Sequence, residues 1–298
     1  MRRTITILLA LVMILSLAAC GSSAPAATAA PAATEAPAAE PAAEPAAEDP
    51  LAYLNGQLRV GMECAYAPNN WQESEPSETN VPIENVPGAY AEGYDVQIAR
   101  RIADQLGLEL VVVKMDWDGL IPALNAGQID AIIAGMADTE ARKEAINFTS
   151  PYHETIYALM VNAGTAYENA TSLDDFNGAS VLGQKDTALD WTIDQIEGVN
   201  HLPAVASVPD MLSRLKEGTC DAIVINLENF PGYQASNPNF VAISFPEGEG
   251  LDPGFRGACV GLRKDDADLL SMADAALATI DQAERDAMWD TALNNQPT

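Results

Sequence analysis

Asp118-Gly119-Leu120-Ile121-Pro122-Ala123-Leu124-Asn125-Ala126-Gly127-Gln128-Ile129-Asp130-Ala131-Ile132-Ile133 and Pro209-Asp210-Met211-Leu212-Ser213-Arg214-Leu215-Lys216-Glu217-Gly218-Thr219-Cys220-Asp221-Ala222-Ile223-Val224 repeat one pattern within a single chain. In each, a Leu (Leu124, Leu215) is followed three residues on by Gly (Gly127, Gly218), and three further by Asp-Ala (Asp130, Asp221). The spacing predicts a short amphipathic helix, a glycine in the left-handed conformation, a tight turn and a strand entering at Asp. The strand runs Ala131–Met136 and Ala222–Ile225 are almost wholly apolar, as in a parallel sheet covered on both faces. Two such units about 90 residues apart point to two similar α/β lobes rather than one large sheet. Ligands of open α/β sheets bind beyond the carboxyl ends of the strands. Facing lobes would place Gly135–Arg142 and Asn226–Asn229 across one cleft, the geometry of a clamp.

The N-terminus is set aside from the fold as a targeting segment. Arg2 and Arg3 precede an apolar run, Ile5–Leu17, too short and too early for a membrane span. It ends in Leu17-Ala18-Ala19-Cys20-Gly21, which resembles the lipobox of bacterial lipoproteins. That resemblance implies removal of residues 1–19 and acylation of the Cys20 thiol, several acyl chains together giving a stable anchor. An ordinary secretory signal with an incidental Cys is the alternative. Residues 20–50 form an Ala/Pro/Glu tract without aromatic residues, Lys or Arg. Its proline content predicts a semi-rigid spacer reaching at most about 3 Å per residue.

Leu51–Thr298 remains, 248 residues, which suits one two-lobed body. Of 15 Lys and Arg two lie in the leader, and of 43 Asp and Glu five lie in the tract. The body therefore sets 13 bases against 38 acids, a net charge near −25. Without a basic patch, nucleic acid is excluded as a partner. Past Cys20, the three cysteines Cys64, Cys220 and Cys259 lack metal-type spacing. One bridge plus a free thiol, or buried free thiols, both fit. His153 and His201 are isolated, so neither a metal site nor a His-dependent triad is expected, and no cofactor is called for.

Along the body, Leu58–Met62 reads as a strand and the polar stretch to Glu92 as a loop or loose hairpin. Asp95 reads as the cap of a helix with apolar positions Ile98, Ala99, Ile102, Ala103 and Leu106. Leu108–Val113 is a second strand, and Tyr157–Asn162 a strand leaving the first lobe. Ser180–Gly183 and Phe240–Ile243 belong to the second lobe, Gly257–Leu262 returns, and Ala267–Leu293 supplies terminal helices. The expected division is residues 51–158 with 258–298 as lobe 1 and 159–257 as lobe 2. Two crossings would make a two-strand hinge.

Several motifs carry a specific resemblance in order and spacing. Gly93-Tyr94-Asp95-Val96, Trp117-Asp118-Gly119-Leu120-Ile121-Pro122-Ala123-Leu124 and Asp130-Ala131-Ile132-Ile133-Ala134-Gly135-Met136 are three of them. Thr139-Glu140-Ala141-Arg142-Lys143, Phe148-Thr149-Ser150-Pro151-Tyr152 and Val260-Gly261-Leu262-Arg263-Lys264 are the others. Together they resemble the polar amino-acid solute-binding proteins, family 3, of ABC importers, from about Leu58 to Leu293. The resemblance implies the two-lobed, periplasmic-binding-protein-like (type II) α/β clamp that the repeat suggests.

It also implies a ligand site. Arg142, three residues into a helix starting near Asp138-Thr139, matches the residue that grips the ligand carboxylate. A guanidinium fork suits a carboxylate, and a helix N-terminus adds donors. A surface ion pair with Glu140 or Glu144 is the alternative. Gly135 and Ala137 match backbone contacts, Thr139 opens the helix, and Thr187 matches a second-lobe turn in which Asp186 stands where Gly is usual. Tyr66, Trp71 and Trp117 match aromatic walls, although Trp71 could instead cover its lobe. Glu63 falls where binders of cationic side chains carry an acid, or is a solvated strand end. Asn226 replaces the Asp that commonly meets the α-ammonium, so Glu228 or Asp138 supplies the charge or the ligand lacks a free α-amino group.

The implied function is extracytoplasmic capture of a small polar solute, an amino acid in the leading reading, by a monomer anchored to the membrane. Lobe closure would present it to an ABC permease. A lyase of cyclic acids on the same fold, or a sensory module acting with a receptor, are the alternatives.

Overall fold

Apolar runs that start just past Asp130 and Asp221 form the centres of two mixed sheets. In the first, β1 (Gln57–Met62) pairs in parallel with β6 (Glu109–Lys114) and β7 (Ala131–Ile132). β14 (Gly261–Leu262) runs antiparallel between β7 and β8 (Asn147–Phe148). In the second, β10 (Ser180–Leu182) pairs in parallel with β11 (Asn200–His201) and β12 (Ala222–Asn226). β9 (Tyr157–Asn162) runs antiparallel between β12 and β13 (Phe240–Ile243). The computed structural model describes residues 49–255 and 257–297; the leader, Cys20 and the tract to residue 48 lie outside the described residues.

The two repeated units fold as their spacing predicts. α2 (Leu120–Asn125) and α5 (Val208–Lys216) each lead through a left-handed glycine, Gly127 and Gly218, into β7 and β12. The sheets are mixed rather than parallel because the chain enters and leaves the second lobe by two crossings. Each crossing feeds a strand that runs against its neighbours. Residues 149–156 and 244–260 are those crossings, and they pair where Ala258 N–H donates to the His153 carbonyl at 2.8 Å. β9 lies wholly in the second sheet, Tyr157 opposite Asn226, so it opens the second lobe. Only Ala131–Ile132 of the run to Met136 stays in the ladder, since Gly135 turns away with φ 66°.

The polar stretch before Glu92 is more ordered than a loose hairpin. It builds an antiparallel sheet from β2 (Ala65–Tyr66), β3 (Asn70–Glu73), β4 (Val81–Pro82) and β5 (Tyr90–Glu92). Its strands bury polar side chains beside apolar ones, Asn70 beside Trp71 and Glu92 beside Ala91, so no alternating period marks them in the sequence.

Asp95 is not the cap of α1 (Tyr94–Leu106); Gly93 holds that position. The Asp95 carboxylate is fully buried and accepts from Asn70 Nδ2 at 2.8 Å and the Tyr152 hydroxyl at 2.7 Å. Asn70 in turn accepts from Cys64 N–H at 2.7 Å, and the Tyr152 oxygen accepts from Gly135 N–H at 3.0 Å. Burial pushes the Asp95 carboxyl upward, against the pull of these hydrogen bonds.

Two apolar clusters fill the first lobe around β1 and β7, and one fills the second around β12. All three clusters belong to one compact unit among the described residues. Cys64, Cys220 and Cys259 are buried free thiols, which settles the pairing question. No described helix is long and apolar enough to cross a membrane.

Removing the Asp95 carboxylate strands two buried donors. Asp95→Ala is expected to lower the unfolding free energy by about 2–4 kcal/mol in urea titration. Asp95→Asn, which keeps the acceptor for Tyr152, should cost less. An Asp95→Ala loss below about 0.5 kcal/mol would contradict this reading of the network.

Candidate ligand cleft

The carboxyl ends of β1 and β7 face those of β10 and β12, and the first side chains past those ends meet each other. Glu63 follows β1 and is 8% exposed. Its carboxylate accepts from Gln184 Nε2 at 3.2 and 3.3 Å, and Gln184 follows β10 in the opposite lobe. Burial pushes the Glu63 carboxyl up to about 7, outweighing the Gln184 hydrogen bond. Glu63 is therefore a cleft residue rather than a solvated strand end.

Tyr66, on β2, sends its hydroxyl across the cleft to Asn226 Oδ1 at the end of β12. Its ring lies over Gly135, where a Cβ would come within 3.1 Å of Tyr66 Cε1. The left-handed φ and this contact both favour glycine there.

Arg142 lies in α3 (Glu140–Ala145), whose N-cap Thr139 accepts from the Arg142 N–H at 3.2 Å. The guanidinium donates to the Ala137 carbonyl at 3.0 Å and to the second-lobe Asp186 carbonyl at 2.8 Å. The Trp117 and Trp191 rings lie 5.3 and 6.0 Å from it. Burial lowers its pKa to about 10, which leaves it charged at neutral pH. Lys143, not Arg142, pairs with Glu140 and Asp138, at 3.2 and 2.8 Å.

The facing turn is built by Gly183, Asp186 and Thr187. A Cβ on Gly183 would meet the Leu189 carbonyl at 2.2 Å, so glycine lets α4 (Ala188–Trp191) fold back against β10. Asp186 takes the left-handed conformation, φ 59°, which short polar side chains tolerate where glycine would otherwise serve. Thr187 N-caps α4 by accepting from Leu189 N–H at 3.2 Å. Trp117 Nε1 reaches the Asp186 carbonyl at 3.4 Å.

Glu63, Tyr66, Trp117, Gly135, Ala137, Arg142, Thr187 and Asn226 thus line one space. Two expected residues do not. Trp71 is 3% exposed in the first-lobe core, its indole N–H donating to Glu73 at 2.6 Å; β-strand alternation points it away from the cleft. Thr139 spends its hydroxyl on the helix cap and lines an outer groove beside Trp191 and Phe255. Neither Glu228 nor Asp138 supplies a cleft charge. Glu228 lies 3.5 Å from His153 and accepts from Ile156 N–H, while Asp138 pairs with Lys143. Glu63 is the one carboxylate lining the cleft among the described residues.

Six lining residues escaped the sequence reading: Ala134, Tyr157, Gln184, Ala188, Leu189 and Phe255. Gln184 had a usable signal, two residues past a parallel strand. Tyr157 sits at the start of an antiparallel strand and Phe255 in an irregular crossing, where no spacing rule points inward. Among the described residues no group of three or more His, Cys, Asp or Glu is placed to hold a metal ion. The lobes are in contact, leaving a cavity of about 40 Å³. Small-molecule sites commonly measure about 300–1,000 Å³, so a solute must take over the contacts that now cross the cleft.

Comparison with known proteins agrees with this architecture. The chain is 27% identical over 243 residues to a probable histidine-binding protein of Campylobacter jejuni, covering 79% of this chain and 83% of the relative. It is 28% identical over 238 residues to an L-arginine-binding protein of Pseudomonas aeruginosa, covering 74% and 81%. The fold superposes on an amino acid ABC transporter substrate-binding protein from Streptococcus pneumoniae, bound to L-arginine, with a TM-score of 0.72. That likeness, at 22% identity, spans 84% of this chain and 100% of the other. The family model of bacterial extracellular solute-binding proteins, family 3, matches residues 58–290, and the chain belongs to that family.

Proposed function

We propose that this protein captures a cationic amino acid between its lobes and hands it to an ABC importer permease, working as a monomer tethered through lipid on Cys20. The observation that carries the reading is Arg142, a charged guanidinium that reaches a second-lobe carbonyl across the cleft. A solute carboxylate would replace the Asp186 carbonyl with a charge-assisted, two-pronged partner. Glu63 supports a cationic end, since a buried carboxylate held by one amide gains most from a positive partner. The relative named an L-arginine-binding protein supports the same class. Trp117 and Tyr66 would flank the carbon chain, contributing about 0.5–2 kcal/mol each. Asn226 would accept from the α-ammonium without charge.

One observation favours a lyase as second reading: a carboxyl near pKa 7 in a closed cleft suits proton transfer. The tyrosines beside it, Tyr66 and Tyr157, are pushed upward by burial and make poor partners at neutral pH. Solute recovered unchanged after prolonged incubation would set this reading aside; turnover would establish it.

Calorimetry on the refolded protein against the common amino acids tests the leading reading. L-Arginine or another cationic amino acid should bind, and Arg142→Ala should weaken it by about a hundredfold or more. Equal binding by Arg142→Ala would overturn it. Asn226→Asp should tighten a free amino acid several-fold, and an unchanged or weaker affinity would place the α-amino group elsewhere.

Glu63 makes the process pH-dependent. A cationic solute needs the ionised carboxylate, so affinity should fall, with proton uptake at the carboxyl, as pH drops below about 7. The solute-free protein shows the opposite sign. A raised carboxyl pKa stabilises the fold fully below its unfolded value of 4.5, and that contribution is lost as pH rises through about 7. Glu63→Gln should flatten both profiles, and pH profiles unchanged by the substitution would remove Glu63 from the site.

A further inference from the structure

β2 is a wall between two spaces. Strand alternation turns Tyr66 into the ligand cleft and Ala65 and Ala67 to the other side, where Cys64, ahead of the strand with a left-handed backbone, also faces. Behind them a second cavity, about 360 Å³, lies between the lobes. Trp71 and Tyr233 give it aromatic surface from the first and second lobe, and Val208 and Leu212 of α5 give it aliphatic surface. The C-terminal turn closes one end. Gln296, just past the last helix (Gln282–Asn295), lies so near α6 (Phe230–Ser236) that a Cβ on Gly232 would meet its Oε1 at 1.9 Å.

The lining contains no Asp, Glu, Lys, Arg or His, in a body whose net charge is near −25. Its polar atoms are neutral amides and hydroxyls, among them Gln72, Ser236 and Asn237. Volume, aromatic walls, few polar groups and a position between lobes are the marks of a small-molecule site. A charged occupant would find no partner for its charge and would lose hydration on entry. An uncharged aromatic ring would lie against Trp71 and Tyr233.

We propose that this rear cavity is a second binding site, for a small uncharged aromatic molecule, and that its occupation is coupled to solute capture in the cleft. Coupling follows from two features. The occupant touches both lobes, so it binds their closed arrangement better than a separated one. It also packs on the reverse face of the strand that carries Tyr66. The site itself stands on this cavity alone; the coupling rests on the cleft reading given above.

The test is a calorimetric titration with indole as a neutral probe, with indole-3-acetate as its charged analogue. Indole should bind the refolded protein, and indole-3-acetate should bind about tenfold more weakly or not at all. Leu212→Trp, which fills the cavity, should weaken indole about tenfold or more. Ser236→Trp, on the exposed rim, should do the same without disturbing a core, which keeps the test open if Leu212→Trp does not fold. Arg142→Ala should keep indole binding while losing the solute, which separates the two sites. Indole and L-arginine should change each other's dissociation constants by the same factor, about fivefold or more. No indole binding, or binding unaffected by both Trp variants, would overturn the site. Indole binding with no reciprocal effect on a solute that does bind would overturn the coupling. A protein that binds indole but no amino acid would refute the cleft reading and leave the rear site standing.

Discussion

A buried carboxylate, Asp95, ties together the segments that form the first-lobe half of the cleft. Through Asn70 it fixes the turn at Cys64, between Glu63 and Tyr66. Through Tyr152 it fixes Gly135, where the chain leaves β7 toward Arg142. Tyr152 also lies in the first crossing, where its N–H donates to the Ala258 carbonyl at 2.8 Å. Burying a carboxylate costs several kcal/mol unless its oxygens are satisfied, and here both are. The hydrogen bonds of this network all lie within the first lobe and position the backbone that carries Glu63, Tyr66 and Gly135.

Across the cleft the logic differs. Tyr66 meets Asn226, Gln184 meets Glu63, and Arg142 meets the Asp186 carbonyl, each pair joining opposite lobes. These contacts satisfy polar groups that closure would otherwise bury unpaired. They also set what a solute must offer: an anion for Arg142, a cation for Glu63 and a donor for Asn226. A solute shifts the lobes only by the excess of its own contacts over these. The charge on Arg142 and the latent charge on Glu63 are the groups with most to gain.

The repeated helix–glycine–strand pattern was legible because it is local: amphipathic spacing, a left-handed glycine and an apolar strand all fall within sixteen residues. Arg142 and Asn226, at and past the ends of those strands, were reachable by the rule that sites lie beyond carboxyl ends, whereas Thr187 was named only through the family resemblance. What was not legible depends on contacts distant in sequence. Asp95 reads as a helix cap from its neighbours, yet its partners are Asn70 and Tyr152. Trp71 reads as a cleft wall until strand alternation turns it inward. Tyr157 and Phe255 enter the cleft through antiparallel and irregular segments that carry no periodic signal.

The central claim is that a solute enters by taking over the contacts that now join the lobes. A crystal structure of the protein with a bound cationic amino acid tests this most directly. The account predicts the solute carboxylate on the Arg142 guanidinium in place of the Asp186 carbonyl, and the cationic end at Glu63 with Gln184 displaced. A bound solute that leaves the Arg142–Asp186 and Glu63–Gln184 contacts intact would contradict it.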